Sequence, residues 1–179
     1  YNQIITNTNL LNIFMKKVLL FFVVAIFTAC STLRPVTYSV QPTLLNYKYV
    51  YIMQTGSVTG SSEMYALDNG VILGGTTNTI NPTDIMSGYL MQRGYTVLPR
   101  LDEKKLSETL VVSYGETGQR SVGFLWLFDA TSIIVQFRDA QTNELIASAE
   151  AEDYGSTAAD NVRYAIRRAL DTIFYSASR

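Results

Sequence analysis

Histidine is absent from this 179-residue chain, and cysteine occurs once, at Cys30. The first absence excludes a Ser-His-Asp triad, a Cys-His pair and any imidazole metal ligand. The second excludes an internal disulfide and a cysteine cluster around a metal. Charge is sparse and almost balanced, with 14 Lys and Arg against 15 Asp and Glu. That balance gives no electrostatic case for nucleic acid. Neither Gly-x-x-x-x-Gly-Lys-Ser/Thr nor Gly-x-Gly-x-x-Gly occurs, so a nucleotide cradle has no support. No apolar run reaches the roughly 20 residues of a spanning helix.

The remaining routes to catalysis are thin. Lys105 and Ser107 lie close in sequence, but they read as a solvated polar turn. Glu150 and Glu152, with Asp153 just beyond, share a strand face and could hold a hard cation or act as acid and base. Strand alternation favours a simple solvent-facing coat. The expectation is therefore a protein that is not an enzyme, with no catalytic residue, no metal and no cofactor.

What the chain does have is Met15-Lys16-Lys17 followed by an apolar run, Val18 to Phe27, that ends in Thr28-Ala29-Cys30. The run is about ten residues, too short to span a bilayer and suited to a signal-peptide core. Phe27-Thr28-Ala29-Cys30 resembles the lipobox of bacterial lipoproteins, with Phe27 where that pattern has Leu or Val. The resemblance implies cleavage before Cys30 and lipid on its sulfur. Residues 1–14 read as an upstream extension, 15–29 as the signal peptide, and 30–43 as the lipidated cysteine and a short tether. Cleavage removes Lys16 and Lys17 and leaves 12 basic against 15 acidic residues. Ser31 is not the aspartate that retains enterobacterial lipoproteins in the inner membrane, and no acidic surface-export cluster follows. By that resemblance the expected place is the periplasmic face of a Gram-negative outer membrane.

Residues 44–179 read as one α/β (α+β) domain. Leu44 to Gln54 alternates, with Tyr47, Tyr49, Tyr51 and Met53 on one face, and is expected as a strand. Sheet packing under a helix is the expected role for those tyrosines. Residues 55–80 form a Gly/Ser/Thr-rich loop, too long for an ordinary connection. Asn81 and Pro82 open a helix that Gly94 closes. Tyr95 to Leu98 and Thr109 to Tyr114 are strands, and Asp102 caps a short turn between them. Gly115 to Gly123 reads as turn, and Thr131 to Arg138 and Leu145 to Glu152 as an antiparallel pair. Ala147, Ala149 and Ala151 would let a helix lie close. Thr157 and Asp160 then cap a helix whose face carries Val162, Ala165, Ile166, Ala169, Leu170, Ile173 and Phe174. Arg167 and Asp171 stand four apart on its solvent side. The expected order is β-α-β-β-β-β-α, a single mixed sheet with both amphipathic helices on one face.

The lipobox, the Tyr-rich first strand, Asn81-Pro82-Thr83-Asp84-Ile85 and Leu110-Val111-Val112-Ser113-Tyr114-Gly115-Glu116 together resemble small lipoproteins of the Bacteroides group, a family without assigned function. The element order is also similar, by topology only, to lipoproteins that activate penicillin-binding proteins, to the curli secretion lipoprotein and to the amino-terminal domain of TolB. Fold alone does not carry function.

Two segments have a claim to binding. Phe124-Leu125-Trp126-Leu127-Phe128 is either a buried strand or an exposed patch for a partner. Tyr65 is the aromatic in the middle of the long loop. Tyr47, Tyr49 and Tyr51 could also stack on sugar. The expected function is a non-catalytic, lipid-anchored envelope lipoprotein that binds an unidentified envelope protein or itself. The alternative is a periplasmic binding module for a glycan, lipid or peptidoglycan fragment. The expected partners include the membrane, through Cys30, and exclude nucleic acid.

Overall fold

The computed structural model describes residues 15–17, 33–54, 58–61, 77–122 and 128–179. In order come β1 (Thr37–Val40), a 3-10 turn (Pro42–Asn46), β2 (Tyr49–Ile52), β3 (Val58–Ser61), β4 (Thr77–Ile80) and α1 (Pro82–Gln92). Then follow β5 (Thr96–Leu98), a second 3-10 turn (Glu103–Glu108), β6 (Thr109–Val122), β7 (Phe128–Asp139), β8 (Leu145–Asp153) and α2 (Ala158–Ala177). Six strands form one mixed sheet in the order β1-β8-β7-β6-β2-β5, and β3 and β4 form a separate antiparallel pair. This is an α+β fold. β2 pairs parallel with both β5 and β6, while β6, β7 and β8 make an antiparallel meander that contains the expected β7–β8 pair.

The helices begin where their side chains can satisfy free backbone donors. Asn81 accepts from the Thr83 N–H at 3.0 Å, and Thr157 accepts from the Asp160 N–H at 3.1 Å. α1 ends at Arg93 and Gly94, and Gly94 takes φ +90°, a conformation that glycine adopts without a Cβ penalty. The whole predicted face of α2, from Val162 to Phe174, is buried. It lies on the face of the sheet that carries Leu110, Val112, Ile133, Val135 and Phe137. Ala147, Ala149 and Ala151 are all buried in the same core, so β8 meets the helix through methyl groups.

Several expectations need correction. The first predicted strand begins only at Tyr49, because Pro42 starts a 3-10 turn and Leu44 is drawn fully into the core. Val50 and Ile52 are the buried pair, so the half-buried Tyr49 and Tyr51 face away from the helices rather than under one. Thr37–Val40 is not tether but an edge strand paired antiparallel with β8. Two stretches of the Gly/Ser/Thr-rich loop, β3 and β4, pair with each other. Gly115 to Val122 is not turn. It continues β6 against β7, past a bulge between Glu116 and Gly118, where the extra residue resets the register.

A candidate cleft at one corner of the sheet

β2 and β5 run parallel, so both begin at the same end of the sheet. A cleft of about 580 Å³ opens there. Leu45, Tyr47 and Lys48 line it from the approach to β2 with Tyr49, the first residue of that strand, and Gly94 and Tyr95 from the approach to β5 with Thr96, the first residue of that one. Arg93 at the end of α1, with Phe174 and Ser178 at the end of α2, completes the lining. The Tyr95 hydroxyl donates to the Leu44 carbonyl at 3.2 Å and locks the 3-10 turn to β5. Phe174 packs among Tyr89, Tyr95 and Phe137, with centroids 5.8 to 6.1 Å away. The floor is thus a fixed aromatic cluster.

Both cations on the rim are matched. Arg93 stacks over Tyr89 and Phe174, and its guanidinium lies 3.6 Å from the Asp171 carboxylate. Asp171 also accepts from the Tyr89 hydroxyl at 2.6 Å. Asp171, which stands four residues after Arg167, thus ties α2 to α1. Lys48 reaches Glu108 at 2.9 Å, and that bond raises the Lys48 pKa. The Tyr47 hydroxyl donates to Asp139 at 2.7 Å. Burial first, then that hydrogen bond, pushes the Tyr47 phenol up to about 12, so it stays a neutral donor. Both helices point their carboxyl ends toward the cleft, and the negative end of a helix dipole disfavours an anion there. The site offers aromatic surface and hydrogen-bonding groups without a surplus of positive charge.

A second polar cluster sits elsewhere. Glu152 was expected to face solvent with Glu150; Glu150 is exposed, but Glu152 is only 2% exposed. Arg120 reaches it from β6 across the small Ala130 and Ser132 of β7, donating from Nε to Oε2 at 2.9 Å. The Arg34 N–H donates to the same carboxylate. Arg168 of α2 donates to the Glu152 carbonyl at 2.6 Å and to the Arg34 carbonyl at 3.0 Å. The Arg120 hydrogen bond is the main cause of the lowered Glu152 pKa. Among the described residues no three His, Cys, Asp or Glu side chains gather as a metal site would require. No described helix is long and apolar enough to cross a membrane.

Of the residues singled out from the sequence, Cys30, Tyr65, Phe124, Leu125, Trp126 and Leu127 lie outside the described residues. Phe128 is described only as the first position of β7, paired with Val122. The tyrosine strand does reach the cleft, through Tyr47 and Tyr49. Sequence reading missed Arg93, Tyr95 and Phe174 as cleft residues. Phe174 looked like ordinary core, and Arg93 and Tyr95 like a helix end and a strand start.

No family model matches the chain. No curated protein matches it either. Among solved structures, the PelC dodecamer from Paraburkholderia phytofirmans aligns with 15% identity and a TM-score of 0.49, covering 78% of this chain and 98% of that one. A point variant of that dodecamer aligns with 14% identity and a TM-score of 0.47, covering 78% and 95%. At this identity and TM-score neither bears on what the present chain does.

Proposed function

We propose that this chain is a lipid-anchored envelope protein without catalysis of its own, and that it binds a neutral stretch of envelope glycan in the cleft. The observation that carries the binding reading is the cleft's chemistry. Tyr47, Tyr49 and Tyr95 line a space of about 580 Å³, within the usual range for ligand sites, and Lys105 Nζ lies 4.7 Å from the Tyr49 ring centroid. Each rim cation already has its own carboxylate. Aromatic faces suit the C–H face of a pyranose, and phenol and backbone groups suit its hydroxyls. Met15 to Cys30 supports the anchor and, with Ser31 after it, a place at the periplasmic face of the outer membrane.

Titration of the intrinsic fluorescence with neutral and with carboxylated oligosaccharides tests the reading. A saturable change with the neutral series is expected, weakened about tenfold by Tyr49→Ala, roughly the loss of one good contact. Tyr175→Ala, outside the cleft and exposed, should leave it unchanged. No saturable change, or equal binding by Tyr49→Ala, would count against the cleft.

A protein partner is the second reading, and one observation favours it. β5 ends the sheet, so its outer edge has unpaired backbone groups that an added strand beside the cleft could meet. In-cell capture that recovers one envelope protein, and loses it with Thr96→Pro, would favour that reading.

A further inference from the structure

Arg34 lies four residues after Cys30 and is held at both backbone groups. The Arg34 N–H is held by the Glu152 carboxylate, and the Arg34 carbonyl by Arg168 at 3.0 Å. Both backbone groups of that residue are therefore fixed to the β8–α2 side of the domain. Four Cα steps separate Cys30 from Arg34, which span at most about 14 Å when fully extended. A lipid on Cys30 would leave the domain no long leash.

The fixed point and the cleft occupy opposite corners of the sheet. Glu152 pairs with Ser132, which pairs with Gly118 far along β6, whereas the cleft's Tyr49 pairs with Thr109 at the start of β6. Nine residues of β6 separate those rows, on the order of 30 Å of strand. The two sites also lie three strands apart across the sheet, on β8 and β2. Near the fixed point the surface carries Tyr38 on β1, 56% exposed, and the Arg34 side chain, 71% exposed although its Nε lies 3.9 Å from the Glu152 carboxylate, a looser pairing than the 2.9 Å bond that Arg120 makes to the same group. Tyr164, one turn before Arg168 on α2, is also exposed. Tyrosine with arginine is the pairing that suits a bilayer interface, the ring at headgroup depth and the cation on phosphate.

We infer that the β1–β8 edge, through Tyr38, Tyr164 and Arg34, rests against the lipid headgroups, and that the cleft opens at the corner of the domain farthest from the membrane. This rests on the anchor in the proposed function. It adds a fixed orientation: the ligand is met on the aqueous side, and the Glu152–Arg168 clamp sets the angle.

The full lipidated chain in vesicles of phosphatidylethanolamine and phosphatidylglycerol provides the test. With the Cys30 thiol consumed, a spin label can be placed alone at Tyr38→Cys or at Met91→Cys, near the cleft on α1. Mass spectrometry first establishes whether Cys30 carries lipid. Relaxation by a nickel-chelating lipid should then be several-fold stronger at position 38 than at 91. Thr37→Cys serves as a second edge position if the first variant folds poorly. Arg168→Gln should reduce the difference. Equal relaxation at the edge and at 91, with the lipid verified, overturns the orientation and leaves the anchor standing. An unlipidated Cys30 overturns the anchor, and the orientation with it.

Discussion

Glu152 carries more of the fold than its position in sequence suggests. It is a buried carboxylate that joins β6 to β8 through Arg120 and ties Arg34 down. Removing its charge takes from Arg120 and Arg34 the carboxylate that both approach, a loss expected to cost about 2 kcal/mol at neutral pH in Glu152→Gln. Urea unfolding checks this. The folded pKa is lowered from 4.5, so the charge contributes fully above that value and its contribution fades as pH falls through the lower folded value. The gap between the native chain and the variant should therefore narrow in acid. A gap that widens as pH falls would contradict this account. The sequence hid the pair for a physical reason. Strand alternation places Glu152 on the face away from the helix, and its partner Arg120 lay in a stretch read as turn. Only the small Ala130 and Ser132 between them allow the long arginine side chain to cross. The cleft was partly legible: the tyrosines of β2 stood out by spacing, whereas Arg93 and Phe174 reach it from the ends of two separate helices.

At the scale of elements, the helices were legible because cap, apolar stripe and terminal glycine agree in one local stretch. β6 was not. Gly115-Glu116-Thr117-Gly118-Gln119 has no apolar alternation, and it is strand because β7 pairs with it along its length. β1 was hidden in the same way, since its short polar run is held by β8. Two glycines give opposite predictions. A Cβ at Gly155, between β8 and α2, would stand 2.6 Å from the Asp160 Cβ and 3.0 Å from the Tyr164 ring. Gly155→Ala must shift the start of α2 and is expected to cost about 1–3 kcal/mol. Gly88 is exposed inside α1, with nothing within 4 Å of an added Cβ. Gly88→Ala should stabilise by about 0.5–1 kcal/mol, since alanine restricts the unfolded chain more than glycine. Thermal melts of both variants, moving in opposite directions, check the packing assigned to each place.

For the whole molecule, the proposed reading assigns separate tasks to two corners of the sheet. One corner holds Arg34, four residues after the proposed lipid site, and the opposite corner presents aromatic residues with matched charge. The most direct measurement places a photo-crosslinking phenylalanine analogue at Thr96, exposed beside the cleft, in the full-length protein in cells. The account predicts adducts that contain carbohydrate, that glycan-degrading enzymes remove, and that are missing when the same analogue replaces Tyr175. Adducts to protein alone, or carbohydrate adducts of equal yield at both positions, would contradict it.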